Sequence, residues 1–155
     1  MRCLRLAVIG MAMLLSALAA SSQQIDPGFQ GFWTLNVGKS DFGHRAKPKT
    51  GFVNWGEHGW TFAIVEADGR VYADAVNTSN GGCLFIGVAP HDLSCLVEAV
   101  TPRHVRLTVK QGTKVLRIGD IELLSDGTTQ TTHHVVPLQG APYVEKTIWE
   151  KQVQE

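Results

Sequence analysis

From Gly31 onward, apolar and polar residues alternate in short runs, interrupted by Gly, Pro, Asp or Asn. A period of two places one face of each run on a core and the other in solvent, which is the pattern of half-buried strands. Phe32–Val37 puts Trp33, Leu35 and Val37 on one side. Phe52–Trp55 forms a short strand, and Trp60–Glu66 aligns Trp60, Phe62 and Ile64. Asp68-Gly69 is a hairpin signal before Arg70–Val76. Cys83–Val88 is apolar, and Leu93–Val100 is its expected return. A helix is the alternative there, since Leu93, Leu96, Val97 and Val100 also fit a 3.6-residue period. Val105–Lys110 alternates cleanly. Across Lys114–Leu124 the apolar phase slips between Leu116/Ile118 and Ile121/Leu123, which points to a β-bulge at Gly119. Thr128–Val136 and Tyr143–Gln152 complete the series. Roughly eight to ten strands joined by short turns predict an all-β fold, an antiparallel up-and-down meander β-barrel whose closure removes the sheet edges. A β-sandwich is the alternative.

The first residues follow another pattern. Arg2 and Arg5 precede the apolar run Leu6–Leu18, and Ala17-Leu18-Ala19 is followed by Ser21, Ser22, Gln23 and Gln24. This is the layout of a secretory signal peptide over residues 1–19. The run is shorter than the ~20 residues that a spanning helix needs. Residues 20–30 then read as a flexible lead and 31–155 as one barrel domain. The 155-residue chain carries 14 basic and 14 acidic residues. Removing residues 1–19 leaves 136, with 12 basic and 14 acidic, because Arg2 and Arg5 go with the leader. That balance excludes a basic nucleic-acid binder. The expectation is an exported protein without a membrane span, periplasmic or extracellular.

Export changes what the cysteines mean. Cys3 lies in the leader, so Cys83 and Cys95 remain as an even pair in an oxidising compartment, which favours a disulfide. A hairpin centred on Ala89 sets the two opposite each other, where Cβ atoms lie about 4.5–5.5 Å apart, near disulfide reach. His91 is close, but a zinc site lacks a clear fourth ligand, so no metal is expected.

The segment Phe29-Gln30-Gly31-Phe32-Trp33-Thr34-Leu35-Asn36 carries Gly-x-Trp at the start of the first strand, and Lys39-Ser40-Asp41-Phe42 follows. This opening resembles that of the calycins, the lipocalins and fatty-acid-binding proteins. It is more closely similar to small secreted bacterial β-proteins that open Gly-x-Trp-x-Leu-Asn-x-x-Lys-Ser and end in a Tyr/Trp-Glu-Lys strand, here Trp149-Glu150-Lys151. The resemblance implies that Gly31 bends the chain into the barrel and that Trp33 plugs one end. It also implies that Lys146 or Lys151 packs across the indole as a cation–π partner. Two departures stand out. Residues 38–51 are too short and Gly/Pro-rich for the helix pair that lids fatty-acid-binding barrels, and the last strand offers lysines but no Arg for a carboxylate clamp.

The candidate ligand-binding residues are Trp55, Trp60, Phe62, Tyr72, Phe85 and His134, which would line a lumen for a small apolar or amphipathic molecule. His133 and His134 are adjacent, so a strand turns them to opposite faces. Two other functions stay open: an interaction module with a packed core, and a barrel enzyme using Glu57/His58 or His91/Asp92. No P-loop, dinucleotide fingerprint or HExxH occurs, so no cofactor is implied.

Overall fold

The computed structural model describes residues 24–77, 82–87, 92–137 and 140–153, with 82–87 described by their backbone. Ten strands follow one another: β1 (Gly31–Leu35), β2 (Thr50–Gly56), β3 (Gly59–Val65), β4 (Val71–Asn77), β5 (Gly82–Gly87), β6 (Leu93–Thr101), β7 (His104–Gln111), β8 (Lys114–Leu123), β9 (Thr129–Val135) and β10 (Tyr143–Lys151). Each pairs antiparallel with its neighbours, and β1 pairs with both β2 and β10, which closes the barrel. The meander barrel is therefore the fold. Residues 93–101 are strand rather than helix.

The alternation seen along the chain sets the interior. Register places Trp33, Leu35, Val53, Trp55, Trp60 and Phe62 on inward positions of β1–β3. Val105, Leu107 and Val109 alternate inward on β7. Gly51 lies inward where a Cβ would meet Leu35 at 3.2 Å and the Trp149 ring at 3.3 Å, so only a bare backbone leaves room for both.

One end is plugged. Asp26 accepts from Gly28 N at 2.7 Å and opens a 3-10 turn over Pro27–Phe29. Phe29, 1% exposed, packs with Val105 and Ile121 across that end. The Trp33 indole N–H donates to Phe29 O at 2.8 Å. Residues 24–30 are thus built into the barrel instead of trailing from it, because Phe29 supplies the apolar stopper at this end. Lys151 settles the choice between the two lysines: its Nζ lies 5.3 Å over the Trp33 ring and donates to Gly28 O at 2.9 Å. Lys146 points outward and exchanges backbone bonds with Asp41. Gly31, at φ +116°, takes a backbone conformation that suits glycine, with Lys151 Cε where a Cβ would press.

The other end is the mouth. Residues 36–49 form a strap across it. Ser40 Oγ accepts from Ile148 N, and Asp41 and Lys146 exchange two backbone bonds at 2.7 Å. Phe42 drops from the strap onto Trp33, Leu35 and Trp149.

The β8 bulge is not at Gly119. Register shifts between Val109 and Lys110, whose partners are Arg117 and Val115, so Leu116 is the extra residue. Gly119 sits in regular register with Leu107 and His133. The apolar phase slips because Ile118 faces outward while Arg117, a cation, takes an inward position.

Candidate functional site

The lumen holds two joined chambers. An inner one of about 100 Å³ is bordered by Trp55, Trp60, Phe62, Leu107, Arg117 and His133, among others. An outer one of about 250 Å³ reaches the mouth past Phe42, Arg45, Tyr72, Tyr143 and Glu145. Phe62, Ile64, Arg117, His133 and Trp149 border both. Together they fall at the lower part of the range for small-molecule sites, about 300–1,000 Å³.

Of the residues singled out from sequence, Trp55, Trp60 and Phe62 line the lumen, and Tyr72 stands at its mouth. The Trp55 and Trp60 rings stack at 4.6 Å, and Phe62 meets Tyr72 at 5.5 Å. The side chain of Phe85 lies outside the described residues; its backbone pairs with Val76. His134 does not belong to the site. It is exposed on the outer face, and its neighbour His133 points in. Both faces of β9 carry Thr and His, so composition could not choose between them. Pairing with β10 does, since Thr131 lies opposite the inward Thr147.

His133 borders the chambers with a ring that burial, chiefly, and then the nearby Arg117 charge push down to about 3. Its Nδ1 is buried without a hydrogen-bond partner, against the bare Cα of Gly119. An unpaired buried N–H costs more than an unpaired lone pair beside a cation, so the neutral ring carries its proton on Nε2. Thr147 Oγ1 accepts from the Trp149 indole at 3.0 Å, which leaves its own hydrogen to donate. The polar wall is therefore rich in donors.

Arg117 is the residue that sequence reasoning missed. It borders both chambers and is half-buried. Burial lowers its pKa, with the Tyr72, Glu145 and Tyr143 charges acting the other way. No hydrogen bond or ion pair within the described residues holds its guanidinium. The signal was present in the sequence: counting back by twos from Ile121 reaches Gly119 and then Arg117.

Nearer the mouth, Arg45 on the strap binds Glu145 through Nε at 2.7 Å and Glu66 through Nη1 at 3.1 Å. One arginine thus ties β10 and the β3–β4 turn to the strap. The chain also buries Asp74, 6% exposed, on the inward face of β4 opposite Phe62. Its Oδ1 accepts from Ala75 N at 2.8 Å, while Oδ2 has no partner.

The pairs considered for catalysis are not assembled. Glu57 and His58 lie 4.0 Å apart on an open turn, each about four-fifths exposed. Asp92 is exposed and accepts from Gln111, while His91 lies outside the described residues. No group of three His, Cys, Asp or Glu able to hold a metal ion occurs among the described residues. No helix among them is long and apolar enough to cross a membrane. On the outer wall Phe32 and Phe52 stack at 5.7 Å beside Ala63, Ala73 and Ala75. Comparison of the chain with protein-family models, with curated proteins and with solved structures finds no match.

Proposed function

We propose that this barrel, exported and freed of residues 1–19, binds a small, largely apolar molecule that carries an acidic group. The single observation behind this is Arg117, a guanidinium facing an aromatic-walled lumen with no anion bonded to it. Even a half-buried charge without a counter-charge is unfavourable, so a site that retains one has a use for it. The donors on Thr147 and on His133 Nε2 suit the acceptor oxygens of a carboxylate. Trp55, Trp60 and Phe62 would hold the apolar body. The calycin-like opening and the continuous lumen favour a binder over a packed interaction module. Cys83 lies opposite Cys95 in register, and we assign the pair a disulfide that pins β5 to β6 beside this core.

The test uses 2-naphthoate and its neutral isostere 2-naphthamide, followed by quenching of the lumen tryptophans. Hydrogen bonds to charged groups are worth about 1.5–3 kcal/mol, so naphthoate is expected to bind at least about tenfold tighter than the amide. Arg117→Met removes that difference. Equal affinity for the two compounds in the unaltered protein, or no binding of either, refutes the proposal.

A further inference from the structure

Arg117 and His133 stand midway along the lumen, because both border both chambers. On one side of them lies the inner chamber of about 100 Å³, where Val53, Trp55, Trp60 and Leu107 make an apolar wall. It is a dead end: Phe29 closes it, with its ring 5.4 Å from that of Trp55. On the other side lies the outer chamber of about 250 Å³, which mixes Leu35, Ile64 and Val135 with Tyr72, Tyr143 and Glu145. A molecule whose carboxylate ends the chain fills one side and leaves the apolar wall of the other in water.

The outer chamber also continues past the mouth. An open groove of about 570 Å³ runs between the strap and the β3–β4 turn, over Ala46, Ala67 and Val71. Arg45, Glu66 and Tyr72 border both this groove and the outer chamber. Phe62 borders the inner chamber and meets Tyr72 at 5.5 Å, so aromatic faces mark the way from the dead end to the groove. The charged side chains along the groove are paired, Arg45 with Glu66 and Arg70 with Asp68 at 2.7 Å. Val71 nevertheless stands 65% exposed there. An exposed valine beside two alanines, at the exit of a ligand chamber, suits an uncharged apolar tail. Burial raises the Tyr72 pKa, so its hydroxyl is a donor at neutral pH where such a tail would pass.

Resting on the proposal of an acid-bearing ligand, we infer that the ligand carries its acid along the chain instead of at the tip. A compact apolar arm fills the inner chamber, the carboxylate branches off at Arg117, and a longer arm crosses the outer chamber and leaves over Tyr72 onto Val71. A carbonyl in the long arm accepts from the Tyr72 hydroxyl. N-acylated apolar amino acids have this three-armed form: a side chain, an α-carboxylate, and an acyl tail joined through a carbonyl. Arg117 then sets specificity for the acid, and the groove at Val71 sets it for the length of the tail.

Four matched probes test this. N-dodecanoyl-phenylalanine carries all three arms. N-dodecanoyl-glycine lacks the ring, N-hexanoyl-phenylalanine has a tail too short for the groove, and N-dodecanoyl-phenethylamine lacks the acid. Calorimetric titration of the chain freed of residues 1–19 is expected to show the first binding at least tenfold tighter than each of the others. Val71→Asp, a change at an exposed position, brings dodecanoyl-phenylalanine within threefold of hexanoyl-phenylalanine. Dodecanoyl-glycine binding as tightly as dodecanoyl-phenylalanine in the unaltered protein overturns the branched ligand, and a preference for 2-naphthoate over its amide then leaves the acid-binding site standing. A preference for the long tail that survives Val71→Asp overturns the groove as its seat. A Val71→Asp variant that changes the sedimentation of the free protein and not its affinity makes the groove a contact between copies, and overturns it as well. The comparison among probes in the unaltered protein holds even if the variant fails to fold.

Discussion

His133 makes the stability of this barrel depend on pH, because its ring titrates at different pH in the folded and unfolded chain. In the unfolded chain its imidazole takes up a proton near 6.5; in the fold, burial and the Arg117 charge delay that until about 3. The unfolded state therefore binds more protons between those values, and stability falls as pH falls through 6.5 and stops falling below about 3. Each unit between the two values is worth 1.36 kcal/mol. Between pH 7 and pH 5 the loss from this one residue is about 2 kcal/mol. The carboxylates with lowered pKa stay ionised there. One is Asp120, which burial raises but the hydrogen bonds from Arg106 and His104 bring below the usual range. Another is Glu150, held down by Lys39 and Asn36. Urea denaturation followed by tryptophan emission is a direct assay. With a slope of about 1.5–2 kcal/mol per molar, the midpoint should drop by about 1 M on going from pH 7 to pH 5 through this residue. His133→Gln should remove that share of the drop, whatever its stability at pH 7. His134→Gln, a substitution on the exposed outer face, should leave it intact. Equal pH dependence in the native chain and His133→Gln would show that the ring is solvated in the fold and that the lumen is wetter than its walls imply.

Further outcomes follow from the same wall and its surroundings. Gly119→Ala places a Cβ 3.1 Å from His133 Nδ1 and 3.3 Å from Cε1, so the ring must shift toward the inner chamber. The expected result is a loss of about 1 kcal/mol in denaturation and weaker naphthoate quenching, and an unchanged titration curve would refute it. A thiol assay on denatured, exported protein should find Cys83 and Cys95 protected until a reductant is added. Reduction should lower stability by about 3 kcal/mol, the chain-entropy value for so short a loop. Two free thiols before reduction would remove the disulfide.

The strand order was legible because each strand has one buried face, and a period of two survives wherever packing rather than chemistry fills the inside. It failed at two places for related reasons. On β8 an inward cation, Arg117, interrupts the apolar series, so the shift in phase looked like a bulge at Gly119 when the extra residue is Leu116. On β9 the two faces carry the same residue types, and only the partner strand distinguishes His133 from His134. Both exceptions lie at or beside the lumen. Local propensity conflicts with burial where a site holds polar groups that a core would exclude. The strap was legible as a loop, but the Arg45 bridge between Glu66 and Glu145 joins residues far apart in sequence and left no local trace.

The pairing of β1 with β10 has a consequence for how the chain folds. Every other ladder joins neighbours in sequence and can form as a hairpin. This one brings Trp33, Thr34 and Leu35 to Lys151, Glu150 and Trp149, three pairs that require nearly the whole chain to be in place. Contacts that close so long a loop form late, since the loss of chain freedom precedes any gain from the contact. Side chains reinforce the short seam. Asn36 and Lys39 from the strap both reach Glu150, and Lys151 covers Trp33. The last ladder to form thus shares its residues with the end plug and the strap. Amide exchange across β1 and β10 would report on opening of the whole barrel, because any partial opening that begins at this seam unseats both of its covers at once.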